Sequence, residues 1–173
     1  CKNNKKSQKV EIGSTLFDVF SSFDLKMTHG PVSARVNNKV EGMHYRVYNS
    51  KDVEFLDMTS ASGSRAYTRT LFFVLCKAVQ DIYPNTDVVI DIPVSNGFYV
   101  DIRLGRPVVD EDVNILRRRM QEIIDSKMPI RRFTVPTEEA IALFQEKGDV
   151  EKVKLLRTSG SKPHLLWCSI QDC

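Results

Sequence analysis

A chain of 173 residues has room for one ordinary domain or two small ones, and its 42% hydrophobic and 27% charged residues form a globular mixture that excludes disorder throughout. The longest apolar run, Leu71 to Cys76, falls far short of the roughly 20 residues that cross a bilayer, so a soluble protein with no membrane partner is expected. With 25 basic against 22 acidic side chains, the net charge of +3 gives no argument for nucleic acid by itself, and local clustering has to carry any such claim.

The first sixty residues are short-stranded and rich in turns. KNNKK is a polar turn, Val10 to Ile12 reads as a strand end, and Ser14 or Thr15 is placed to cap a short helix, LFDVF. VSARV and VEGMHYRV read as two strands joined by Asn37-Asn38, a pair suited to positive backbone angles in a tight turn. VEFLD adds one more strand, so a small mixed sheet gripping one helix is expected. TSASGS, residues 59–64, is small and polar and makes the best linker in the chain. The expected organisation is a first domain over 1–59, a linker over 60–65 and a second domain over 66–173.

Beyond the linker, the pattern predicts a helix from about Arg65 to Tyr83, stopped by Pro84. Its apolar stripe is Tyr67, Leu71, Val74, Leu75, Ala78 and Ile82. Phe73 falls nearly opposite, beside Arg69, Lys77 and Gln80. VVIDIPVSNGFYVDIRL follows as two strands around Asn96-Gly97, a strong hairpin signal. VVDEDVNILRRRMQEIIDSK reads as a helix with Asp110, Glu111 and Asp112 at the positive end of its dipole. Its expected core stripe is Val113, Leu116, Met120, Ile123 and Ile124, with Arg117, Arg118 and Arg119 on the remaining faces. IRRFTV is a strand, Thr137 caps a further helix that Gly148 ends, and VKLL is expected as a last short strand. Helices set between antiparallel strands give an α+β class.

Little catalytic chemistry is visible. Cys1, Cys76, Cys168 and Cys173 are scattered, which suggests reduced thiols in a cytoplasm. His164, Cys168 and Cys173 lie close in sequence without the paired spacing of a metal site. No phosphate-cradling glycine loop and no nucleophile elbow occurs. His29, His44 and His164 read as surface or packing residues. One binding feature stands out: Arg103, Arg106, Arg117, Arg118, Arg119, Arg131 and Arg132 sit on neighbouring elements, and the guanidinium fork suits phosphate. The same seven residues also read, more plainly, as a solvated helix face and an exposed strand balanced by the acids between them.

NGFYVDI at 96–102, EDVNILRRRMQEII at 111–124, Glu139-Ala140, Phe144, Gly148 and KVKLL at 152–156 resemble, in order and spacing, the editing domain of threonyl-tRNA synthetase over about residues 66–156. IGSTLFDV and VSARVNNKVEG are similar to the TGS domain, the β-grasp module that precedes it in the same synthetase. The resemblance therefore implies a β-grasp domain followed by an editing-like α+β domain that is cut short at its C-terminal end. In that family a His-x-x-x-His on the first helix and a later Cys-x-x-x-His form the metal-ligating, hydrolytic site. The first pair falls here on Arg69 and Phe73, neither of which can ligate zinc. The resemblance thus implies a former metal cleft in which Phe73 takes the place of the ion.

Bacterial nucleoside kinases similar to uridine kinase carry the same two domains ahead of a kinase domain, with the editing histidines lost. Resemblance to them implies a noncatalytic accessory region that senses a nucleotide or RNA, with no cofactor or metal of its own. It places a kinase domain in the same chain beyond Cys173, using ATP and Mg²⁺ on uridine or another nucleoside, and makes the present sequence a piece of something longer. The alternative is a tRNA-binding module derived from the synthetase, with the arginine cluster on RNA phosphates and a degenerate editing site. An active editing hydrolase is the least favoured, because half of its ligands are replaced.

Overall fold

Thr15 lies in extended backbone just before helix α1 (Leu16–Ser22), where its hydroxyl accepts the Asp18 amide and its own amide donates to the Asp18 carboxylate at 2.8 Å. This reciprocal cap satisfies N–H groups that a helix start leaves without partners. The Thr15 hydrogen bonds also hold the Asp18 carboxyl below its ordinary range. In the computed structural model the described residues are 1–95, 97–128, 130–146, 148–158 and 164–170, with 131–133 and 164–170 described by their backbone.

Strand β1 (Ser33–Val36) is the middle of a three-stranded sheet, with β2 (Lys39–Gly42) and β3 (Val53–Leu56) antiparallel on either side. The β1–β2 turn is made by Asn37 and Asn38 at φ of 44° and 69°, the left-handed angles that asparagine tolerates. The expected long strand VEGMHYRV ends early, at Gly42, and Val10 to Ile12 forms no strand. The reason for the early end lies in α1: its first amides, of Leu16 and Phe17, donate to the carbonyls of Tyr45 and Met43. The backbone after β2 is thereby committed to the helix start, apart from one bridge between Thr15 and Arg46. Leu16, Val19, Ala34, Val36, Met43, Val47, Val53 and Phe55 form the core under this sheet, with Phe20 edge-on to Phe55 at 5.1 Å.

Helix α2 (Ala61–Ile82) begins at Ala61, so residues 61–65 of the expected linker are helical. The Ser60 hydroxyl accepts the Gly63 amide and donates to the Asp57 carbonyl, which fixes the helix start against the end of β3. Gly63 is buried there, and a Cβ on it would stand 1.8 Å from the Asp57 carbonyl oxygen. Its role is close approach of two backbones, where a sequence reading sees flexibility. Along α2 the buried residues include Val74, Ala78 and Val79, whereas Tyr67, expected on the apolar stripe, is 43% exposed.

The chain divides into two compact units, residues 1–76 with 89–101, and residues 77–88 with 102–173. The first unit includes the expected hairpin, β4 (Val88–Val94) with β5 (Gly97–Ile102), less its end residues Val88 and Ile102; Asn96 of the turn lies outside the described residues. In the same unit Phe72 meets Phe98 edge-on at 4.8 Å.

The second unit contains α3 (Asp110–Asp125), β6 (Ile130–Pro136), α4 (Thr137–Glu146), α5 (Val150–Thr158) and β7 (His164–Ile170). Strands β6 and β7 are antiparallel, in register from Ile130 opposite Ile170 to Pro136 opposite His164. Gly148, at φ of 73°, closes α4: its amide reaches Gln145 and that of Asp149 reaches Phe144, the paired bonds of a glycine-ended helix. The expected strand VKLL is instead part of α5. The Asp149 carboxylate accepts the Lys152 amide and so starts a helix, and Val153 is the residue of it that becomes buried. The class remains α+β.

Candidate nucleic-acid interface

Seven arginines were candidates for a phosphate-binding cluster, and the structure gives two of them, Arg106 and Arg119, internal carboxylate partners. Asp112, in the first turn of α3, is 3% exposed, and its carboxylate accepts from both terminal nitrogens of Arg106, each at 2.7 Å. The same carboxylate takes the Tyr83 hydroxyl at 2.6 Å and the Val109 amide at 3.0 Å. Hydrogen bonds from Arg106, then Tyr83, then the Val109 amide hold the Asp112 carboxyl far below the ordinary carboxylate range. In return, the Asp112 bond raises the Arg106 guanidinium and the Tyr83 phenol. A buried carboxylate with this many donors is a structural junction joining the end of α2, the loop before α3 and the helix start itself.

Arg119 is engaged in the same way. Its Nε and Nη2 both donate to one Asp81 oxygen, at 2.9 and 2.8 Å, and its Nη1 reaches Glu122 at 3.0 Å. Lys77 donates to the other Asp81 oxygen at 2.7 Å. Burial works against the Asp81 charge, but the bonds from Lys77 and Arg119 outweigh it, and the carboxyl lies below its ordinary value.

Arg117 and Arg118 are different. Both are exposed, and neither has an ion-pair or hydrogen-bond partner among the described residues. The side chains one helical turn from Arg117, those of Val113, Asn114, Met120 and Gln121, are all uncharged, so its charge is not offset along the helix. Arg103 is exposed in the loop after β5, with its amide bonded to the Asp87 carbonyl. Arg131 and Arg132 lie on β6, opposite Ser169 and Cys168, and their side chains lie outside the described residues. The expected α3 core also changes: Leu116 and Ile123 are buried, but Val113 and Ile124 are 43% and 47% exposed. Asp112 escapes a sequence reading, because its only signal is a place three residues after the helix boundary, shared with ordinary first-turn acids.

Arg69 is exposed and Phe73 half-buried, one turn apart on α2. A guanidinium that stays protonated and a phenyl ring offer no lone pair to a metal, so these two positions do not fit a zinc-ligating pair. Among the described residues no three histidine, cysteine or acidic side chains converge as a cation site. His164, Cys168 and Cys173 fall on residues whose side chains lie outside that description. No helix among the described residues is long and apolar enough to cross a membrane.

No protein-family model matches the chain. It is 30% identical over 145 residues to the threonine–tRNA ligase of Acetivibrio thermocellus, a match covering 84% of this chain and 23% of that relative. The corresponding enzyme of Natranaerobius thermophilus is 30% identical over 142 residues, 82% of this chain and 22% of the relative. That of Clostridioides difficile is 28% identical over 149 residues, 86% of this chain and 23% of the relative. The chain thus spans about 23% of the length of the curated relatives it matches. Threonyl-tRNA synthetases are its homologues, as the resemblance in both halves implied. The expected fusion to a uridine kinase-like enzyme receives no support from these relatives.

Proposed function

We propose that this chain is a tRNA-binding module derived from a threonyl-tRNA synthetase, with a degenerate editing site. The observation that carries the reading is similarity to the synthetases across more than four-fifths of the chain, 84% in one case. Arg117 and Arg118, exposed and without a partner among the described residues, supply a surface suited to RNA phosphates. Arg69 and Phe73, at the positions where the family places its ligating histidines, support a module that holds RNA without hydrolysing its ester. On this reading Phe73 fills the space of the former ion, and the compartment that fits is the cytoplasm. The accessory-region reading, with its ATP, Mg²⁺ and kinase domain, is set aside because the three relatives described above lend it no support.

The test is binding of a tRNA transcript at low salt, where phosphate contacts are strongest, together with deacylation of mischarged tRNA. Saturable binding without metal-dependent deacylation is the expected result. Undetectable binding overturns the RNA half of the reading, and deacylation with stoichiometric zinc overturns the degenerate-site half.

A further inference from the structure

Five of the arginines have described side chains, and the difference among them is one of competition. A carboxylate and a phosphate present the same kind of oxygens to a guanidinium fork, so an arginine already held in a fork by a carboxylate has that edge taken and its charge offset. Arg106 has both terminal nitrogens on Asp112, and Arg119 has all three of its nitrogens on Asp81 and Glu122. These acids are fixed in turn by other donors, Tyr83 and the Val109 amide on Asp112 and Lys77 on Asp81, so release of either arginine would strand a partly desolvated carboxylate. Arg117 and Arg118 carry no such internal partner among the described residues and stand exposed on α3.

We propose that RNA is held here by a narrow contact centred on Arg117 and Arg118, about two phosphates wide, and that Asp112 and Asp81 act as internal phosphate substitutes that keep Arg106 and Arg119 out of it. This rests on the RNA-binding reading above and deepens it by dividing four of the five arginines, all but Arg103, into two that grip the ligand and two that hold the fold. The consequence is an unusually shallow response to salt for a surface of this arginine content. Each phosphate neutralised on a single strand contributes about −0.7 to the slope of log affinity against log salt, so two give about −1.4 and four give nearly −3.

The experiment titrates the whole chain into a fluorescein-labelled oligouridine of about 12 nucleotides, followed by anisotropy between about 20 and 200 mM KCl. A slope near −1.4 for the unaltered chain, falling by about half in Arg117→Ala and again in Arg118→Ala, is the expected outcome. Arg106→Lys and Arg119→Lys, if their circular dichroism is unchanged, leave the slope as it was. A slope steeper than about −3 in the unaltered protein overturns the division, and that measurement needs no variant to fold. Loss of slope in Arg106→Lys or Arg119→Lys equal to that in Arg117→Ala overturns it too. Absence of oligouridine binding at the lowest salt, where a tRNA transcript still binds, overturns the two-arginine contact, and absence of binding to both removes the RNA-binding reading on which it stands.

Discussion

The first unit is held chiefly by apolar burial, and the α2–α3 junction of the second by aimed polar contacts. Under the β1–β3 sheet eight apolar residues close on one another, and Leu16 and Phe55 are almost fully removed from water. At the junction of α2 and α3 the directing groups are Asp112 and Asp81, with Tyr83, Lys77, Arg106 and Arg119 around them. Apolar burial is non-directional and tolerates many arrangements, whereas a carboxylate with four donors specifies one. The second kind of junction fixes which face of α3 turns outward, and thereby which arginines are available.

Phe55→Ala puts the apolar side of this contrast under the heaviest load. Removing a fully buried aromatic ring should cost the first unit about 3–5 kcal/mol, read as a lower urea midpoint and faster amide exchange in β1 and β3. If the loss is below about 1 kcal/mol, burial is not what holds that sheet. Gly63→Ala comes next, at about 1–3 kcal/mol, because its Cβ meets the Asp57 backbone at 1.8 Å and the start of α2 must shift. A neutral result in thermal melts would mean that α2 slides there freely.

Asp112→Asn should destabilise the second unit less than Phe55→Ala does the first, and its mark is a pH dependence. The folded carboxyl lies below the unfolded value near 3.8, so the charged form is favoured by folding. Its contribution is therefore fully present above that value and is lost progressively as pH falls below it. The stability gap between Asp112→Asn and the unaltered chain should accordingly be constant from neutral pH down to about 5 and then shrink on further acidification. A gap that does not change with pH would exclude the ionised junction. The smallest effects belong to the helix cap and the cross-strand ion pair of the first unit. Thr15→Ala should cost about 1 kcal/mol through the lost cap, measured as a lower urea midpoint. Breaking the cross-strand pair of Arg35 and Glu54 should cost roughly 0.5 kcal/mol in a double-mutant cycle.

The elements that can be read from sequence are those whose signal is local. The Asn37-Asn38 turn, the cap at Thr15 and the stop at Gly148 each rest on the backbone preferences of one or two residues. VKLL misleads because four residues of this character fit a strand and a helix alike, and the Asp149 cap that decides between them lies outside the run itself. VEGMHYRV misleads for a different reason: its carbonyls are taken by the amides of a helix that begins nearly thirty residues earlier. The arginines are legible as a group and illegible as individuals. Arg117, Arg118 and Arg119 are consecutive, with the same chemistry and the same helix, and Asp81, 38 residues upstream of Arg119, together with Glu122 sets the third apart.

Residue identity and short spacing are enough for the α+β class and for the local turns and caps, and the resemblance to threonyl-tRNA synthetases is carried by short runs of sequence. Three findings needed the folded chain: Gly63 is a close-approach glycine, Asp112 is a buried junction, and Arg106 and Arg119 are already occupied. Charge can be counted along a chain, but whether a charge is free depends on what folding brings within about 3 Å of it.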